Sequence, residues 1–227
     1  MIKKRYYDIL LIRYGEYCFL MSVTEKALFS PLNKLFLEEK NMKHSFEKGF
    51  FAPLPVLIIG TYDANGTPDA MNAAWGGQIG MTQVSVSLSS SHKTTENIKL
   101  NREFTIAYAT TEQIAACDYV GIVSGNNVAD KLEKCGLTVT KSDKVNAPVI
   151  DQFPVTIECK VIDIQEEFGE TRVVAEVVGL KADDIVLTDG KVDYSKVGLV
   201  IYDTVSKTYR TVGGSIADAR SVGRKYE

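Results

Sequence analysis

The sequence predicts a mainly β protein: an antiparallel barrel with short helical insertions. Three observations carry that expectation. Apolar runs of strand length recur along the chain and dominate it. Asn65-Gly66 and Asp189-Gly190 are turn signals, and Gly169 lies between two long β runs. The helical stretches are few, short and in mixed order, without regular β–α–β alternation. That pattern argues against a Rossmann sheet. Neither G-x-G-x-x-G nor G-x-x-x-x-G-K-[ST] occurs, so the usual dinucleotide and P-loop fingerprints are missing.

Each element has its own justification. Leu54 to Tyr62 is apolar on both faces, as a strand buried on two sides must be. Asp63 to Pro68 follows as a turn, and its Asn65-Gly66 pair tolerates positive φ at both positions. Gln83 to Ser89 alternates strictly: Val84, Val86 and Leu88 face a core, while Ser85, Ser87 and Ser89 share the other face. A short helix from Thr94 to Asn101 leads into a strand from Phe104 to Ala109. A helical stretch runs from about Glu112 to Val120. Ser124 to Asn127 forms a loop, and Val128 to Lys134 reads as another helix that Gly136 stops. Phe153 to Glu166, Thr171 to Leu180 and Gly198 to Tyr202 are the last β runs.

Composition narrows the function classes. Of 227 residues, 45% are hydrophobic and 24% charged, ordinary values for a soluble globular protein. A chain of this length buries a core without disulfides or metal. The formal charge of −3 has the wrong sign for a generic nucleic-acid surface. The histidines are His44 and His92, which argues against a His-rich metal site and leaves His92 alone for any proton relay. Cys18, Cys117, Cys135 and Cys159 form no C-x-x-C pair, so zinc-ribbon and thioredoxin-like readings fail. Free thiols in a reducing cytoplasm follow. A redox role for Cys117 or Cys135 stands against the commoner one of small buried hydrophobe.

The charge is uneven. Residues 1–41 carry seven Lys/Arg against five Asp/Glu, a net of +2. The remainder carries nineteen against twenty-four, a net of −5. The start resembles a basic leader, but Asp8, Arg13 and Glu16 interrupt its apolar stretch and no small-residue cleavage motif follows. The same charges make it a poor membrane span, which takes about 20 mainly apolar residues. A regular globular pattern begins at Met42. Residues 1–41 are therefore expected to be an extension outside the core, an upstream start included in the reading frame, with an ordinary helix or strand pair as the alternative. Residues 42–227 are expected to form one domain.

The candidate chemistry lies in residues 71–97, MNAAWGGQIGMTQVSVSLSSSHKTTEN. Asn72-Ala73-Ala74-Trp75 is small and polar, followed by the chain's single Trp. Small side chains let a flat ligand approach the backbone closely. Ser89, Ser91, His92, Lys93 and Thr94 gather hydroxyls and a cation where a helix opens. Free N–H groups and the positive end of the helix dipole suit an anion there. Hydrogen bonds to a charged group contribute about 1.5–3 kcal/mol each, so three or four would hold a phosphate monoester without a P-loop. Against this, hydroxyls before a helix are usually caps, and a lone Trp is usually core.

From about Phe50 to the C-terminus the chain resembles the flavin reductase-like, FMN-binding split-barrel proteins, close to the flavoredoxin branch. The blocks that match in order are Pro55-Val56-Leu57-Ile58-Ile59-Gly60-Thr61, Asn72-Ala73-Ala74-Trp75, Val84 to Leu88 with Ser91 to Ile98, and Asn101 to Ile106. They continue with Asp118-Tyr119-Val120-Gly121, Ser124-Gly125, Asp130-Lys131-Leu132, Ala147 to Ile150, Ile157 to Val161 and Tyr209 to Gly214. The resemblance implies an antiparallel split β-barrel of Greek-key type that binds FMN. Asn72, Ala73, Ala74 and Trp75 would border the ring. Ser89, Ser91, His92, Lys93, Thr94 and Asn97 would take the phosphate and ribityl oxygens. It also implies a homodimer, with each flavin near the subunit interface.

The activity so implied is that of an FMN-dependent oxidoreductase in the cytoplasm. NADH or NADPH passes hydride to flavin N5, and no protein nucleophile or base is required. Backbone N–H groups of the Asn72–Trp75 segment are expected to stabilise the reduced ring. The alternatives are a flavoredoxin-like electron carrier between redox proteins and a non-catalytic FMN-binding protein. A nucleic-acid-binding barrel is disfavoured by the acidity of residues 42–227, and no membrane is involved.

Overall fold

The structure is a computed structural model, and it describes residues 9–14, 17–22 and 43–227. The chain divides into two units, one within residues 1–49 and one spanning Phe50–Glu227. In the first, β1 (Ile9–Tyr14) and β2 (Tyr17–Ser22) pair as an antiparallel hairpin, Ile9 opposite Ser22 and Tyr14 opposite Tyr17. Most of the expected extension, residues 1–41, lies outside the described residues.

The second unit is mostly β with few short helices. Its first strands are β3 (Leu54–Pro55), β4 (Leu57–Tyr62), β5 (Pro68–Ala73), β6 (Gly76–Gln78) and β7 (Gln83–Ser89). Helix α1 (Lys93–Asn101), strand β8 (Glu103–Tyr108) and helices α2 (Ile114–Ile122) and α3 (Lys131–Lys134) follow. Next come β9 (Val139–Lys141), β10 (Pro148–Ile150), β11 (Val155–Glu167) and β12 (Glu170–Ala182). The chain closes with β13 (Leu187–Thr188), β14 (Lys191–Val192), β15 (Val200–Asp203) and β16 (Thr208–Thr211).

Seven strands form one antiparallel sheet in the order β5-β4-β8-β11-β12-β7-β6. Its two outer strands, β5 and β6, are neighbours in the chain, joined only by Ala74 and Trp75. Three Cα–Cα steps span at most about 11 Å. The first and last strands are therefore held close, and the sheet must curl into a barrel left open along one seam. Ser87 N–H donates to the Trp75 carbonyl at 2.8 Å, which ties the link to β7.

The strand that reads apolar on both faces feeds two cores. Leu57 and Ile59 point into the barrel with Met71, Val84, Val86, Leu88, Phe104, Ile106 and Val173. Val56 and Ile58 point the other way, where Ala116, Cys117 and Val120 of α2 and Leu132 of α3 cover the sheet. Each fully buried Val, Leu, Ile or Phe stabilises by about 1.5–3 kcal/mol. Val84, Val86 and Leu88 are buried as the alternation demands.

Three local expectations are corrected. The run from Leu54 to Tyr62 is two strands: Leu54–Pro55 pairs with β15, and Leu57–Tyr62 pairs with β5 and β8. Pro55 has no N–H to continue a ladder. The helix expected from Val128, α3, begins only at Lys131, because the N–H groups of Asn127 and Val128 are drawn to the Ser124 carbonyl in a turn. At Asn65-Gly66 only the glycine has positive φ, 81°. The Asp63 carboxylate accepts the N–H groups of Asn65 and Thr67 at 2.8 and 2.9 Å, giving a three-residue loop ending in a glycine bulge. The two-residue turns with both φ positive are Phe168-Gly169 (53° and 82°) and Asp189-Gly190 (52° and 72°).

Candidate flavin site at the barrel seam

Three hollows that share lining residues sit along the seam and are together termed the cleft. The central one, about 330 Å³, is walled by Asn72, Ala73, Trp75, Ser89, His92 and Glu170, among others. It shares Met71 and His92 with a hollow of about 170 Å³ at the start of α1, which Lys93, Thr94, Ser124, Gly125 and Lys131 also line. It shares Asn72 and Trp75 with a third, about 310 Å³, bordered by Ala74, Asp118, Gly121, Lys207 and Tyr209. Two larger hollows, about 620 and 570 Å³, lie elsewhere and contain none of the residues expected from the sequence.

The α1 end is suited to an anion. His92 occupies the N-cap, and no side chain caps the helix. The reading of these hydroxyls as caps fails, since Thr95 Oγ1 donates to the Ser89 carbonyl at 2.8 Å and Thr94 Oγ1 to Asp69 Oδ2 at 2.7 Å. First-turn N–H groups therefore stay available beside Lys93. Lys93 is half-buried, and among the described residues its ion pair is with the exposed Glu96, at 3.5 Å. Gly125 closes in on this end: a Cβ there would collide with Asp69 Oδ1 and come within 3.2 Å of Lys93 Cγ.

Behind this wall lies a buried ion pair. Lys131 Nζ is 2.8 Å from Asp69 Oδ1, with side chains only 3% and 7% exposed. Lys131 also donates to the Val123 carbonyl at 3.2 Å. The contact with Asp69 Oδ1 is ionic rather than a well-aligned hydrogen bond, and that oxygen is one of two buried side-chain atoms without a hydrogen-bond partner among the described residues. Asp69, Thr94 and Lys131 thus bolt β5, α1, α3 and the Val123–Gly125 loop together.

The other end is assembled from distant parts of the chain. Asn72 Nδ2 donates to the Cys117 carbonyl at 3.1 Å and to Tyr209 Oη at 3.2 Å. Tyr209 Oη in turn donates to Asp118 Oδ1 at 2.8 Å. Burial and the adjacent Asp118 push the Tyr209 phenol well above its ordinary value. Gly121 admits this packing, since a Cβ there would lie 2.9 Å from Asn72 Cβ. Trp75 is 63% exposed, so it is not core.

Of the ten residues expected at a site, Asn72, Ala73, Ala74, Trp75, Ser89, His92, Lys93 and Thr94 line the cleft. Ser91 is exposed and bonds Ser89 Oγ at 3.2 Å without lining it. Asn97 is buried beneath α1, where Nδ2 donates to Thr61 Oγ1 at 3.1 Å. Sequence reasoning gave no role to Gly121, Gly125, Lys131 and Tyr209, although they fall in motif blocks. Asp69 and Glu170 carried no signal at all. Cys117 and Cys159 are buried free thiols, pushed up by burial to about 11 and about 12. Among the described residues no cluster could hold a metal ion, and no helix is long and apolar enough to cross a membrane.

A curled antiparallel half-barrel with a cleft at its seam defines a class, the split-barrel flavin-binding proteins. The flavin reductase like domain model matches residues 51–203, and the chain belongs to that family. It is similar to the flavoredoxin of Desulfovibrio vulgaris (Miyazaki F), 36% identical with a TM-score of 0.76, over 80% of this chain and 100% of that one. A flavoredoxin from Methanosarcina acetivorans is 23% identical with a TM-score of 0.75, over 82% and 100%. An FMN-binding domain of a flavin reductases-like enzyme from Shewanella baltica OS155 is 23% identical with a TM-score of 0.63, over 72% and 88%.

Proposed function

We propose that the protein is an FMN-dependent oxidoreductase, an NAD(P)H:flavin reductase. One observation carries the reading: hollows that share lining residues follow one another from the uncapped start of α1, with Lys93, to the small-residue seam at Asn72–Trp75. An elongated ligand with a phosphate at one end and a flat ring at the other fits that order. Lys93, the first-turn amides of α1 and the Ser124-Gly125 backbone hold the phosphate. Ser89 and His92 face the ribityl chain, with Ser91 steadying Ser89. Thr94 and Asn97 act from behind, since their donors are turned to Asp69 and Thr61. Asn72, Ala73, Ala74 and Trp75 border the ring.

The chemistry that bound FMN would supply is redox chemistry, with NADH or NADPH as the electron donor. This chain's residues bind and orient, and no nucleophile or base is needed from them. Trp75, exposed at the cleft edge, fits a homodimer in which the second copy completes the site. Residues 1–41 form an extension outside the 42–227 domain, and the protein acts in the cytoplasm. A flavoredoxin-like electron carrier is the second reading, favoured by the 36% identity to the Desulfovibrio protein.

The test is a visible spectrum of the purified protein, followed by NADH and NADPH added separately under anaerobic conditions. A yellow protein bleached by either, with turnover on free flavin, supports the reductase. Yellow protein reduced only by a redox protein supports the carrier. A colourless protein that binds no added FMN overturns both. Removal of residues 1–41 should leave flavin binding intact.

A further inference from the structure

The donors around Asn72 are all spoken for. The Cys117 carbonyl can only accept, so the amide nitrogen of Asn72 must face it, and the orientation is fixed by chemistry. Asp118 takes the Tyr209 proton, so Tyr209 Oη can only accept from the second N–H of Asn72. Both amide hydrogens are consumed. Asn72 Oδ1 has no partner among the described residues and is not one of the buried unpartnered atoms. It is therefore not sealed from solvent, and Asn72 borders two of the hollows at the seam. Asn72 therefore offers the ligand a hydrogen-bond acceptor and cannot turn to offer a donor.

An oxidised flavin ring presents acceptors at N1, N5 and both carbonyls. Its one ring donor, N3–H, is present in both redox states, so an acceptor facing it sets no redox preference. Two-electron reduction with protonation places a hydrogen on N5 and turns that atom into a donor. We propose that the Asp118–Tyr209 relay positions Asn72 as a fixed acceptor for the N5–H of reduced flavin, so that the protein favours the reduced state. Tyr209 and Asp118 are positioning residues, and Asn72 touches the ring. This rests on the flavin-binding reading above and adds a redox preference to it.

The experiment is a spectroelectrochemical titration of FMN bound to the full-length protein and to Tyr209→Phe, with FMN and riboflavin dissociation constants measured alongside. Loss of the hydroxyl frees one amide hydrogen and lets Asn72 turn. The preference for reduced flavin should fall about tenfold, which lowers the midpoint potential by ~30 mV for a two-electron couple. Asp118→Asn, which loosens the same relay, should lower it in the same direction by less, and it serves if Tyr209→Phe does not fold. An unchanged potential with weakened binding makes the relay purely structural and overturns the inference while the flavin reading stands. A loss confined to FMN and absent for riboflavin places the effect at the phosphate and also overturns it. Wild-type protein that binds no flavin overturns both.

Discussion

The two ends of the cleft are built by opposite means. At the α1 end the cation and the open helix amides come from one short stretch of chain, the Ser124-Gly125 loop closes over them, and buried charge braces them from behind. At the ring end the contacts come from residues 72, 118 and 209, and a chain of hydrogen bonds ending on the Asp118 carboxylate arranges them. The first end depends on a framework that cannot be disturbed without cost to the fold. The second depends on the orientation of one amide, which can change while the barrel stands.

Asp69→Ala should separate these most sharply. It leaves Lys131 buried without its counter-charge, a loss of about 3–5 kcal/mol by urea denaturation. A stable Asp69→Ala variant would falsify the bracing role. Lys93→Ala removes a charge from the cleft without touching that brace. It should weaken FMN by about 1.5–3 kcal/mol, roughly tenfold or more, with riboflavin affinity and stability nearly unchanged. Equal losses for both flavins would erase the distinction between the ends. Thr94→Val should do the converse: about 1–2 kcal/mol of stability lost with Asp69's partner, while the FMN-to-riboflavin preference is retained. Trp75→Ala should shift the absorption or fluorescence of bound flavin while stability moves by less than about 0.5 kcal/mol. An unaltered spectrum would put Trp75 away from the ring.

At neutral pH the buried thiols and Tyr108 give stability no pH dependence, but they sharpen the comparison at high pH. Burial pushes Cys117 up to about 11, and Cys159 and Tyr108 up to about 12, from ordinary values of 9.0 and 10.0. The folded chain keeps protons that the unfolded chain releases. Their contribution is full below about pH 9 and is lost as pH rises toward 12. The melting temperature should fall between pH 9 and 11, and Cys117 and Cys159 should resist alkylation at pH 8 until the protein unfolds. Rapid alkylation of the native protein would show that the floor under Asn72 is open.

Much of this was legible in the sequence because it is local. Strict alternation in Gln83–Ser89 set which residues face the barrel, and the two-sided apolar run from Leu54 to Tyr62 marked a strand buried on both faces. The α1 end was readable since its hydroxyls and cation sit together. What stayed hidden depends on partners far away in the chain. Nothing near Asp69 announces that its partners are Thr94 and Lys131. Thr94 looks like a phosphate donor until Asp69 is seen to hold its proton. Phe168 at positive φ could not be anticipated either, because no residue preference selects an aromatic for that conformation.

The link of two residues between β5 and β6 has a consequence for how such a chain can change. Ala74 and Trp75 both close the barrel and border the cleft. Lengthening that link would relax the sheet and displace the ligand's wall in one stroke, whereas added residues at the Asp189-Gly190 tip, which borders none of the three hollows, would disturb neither. Closure and recognition are inherited together at the seam. New specificity in this protein must therefore come from the far wall, where α2 and the C-terminal strands meet the cleft.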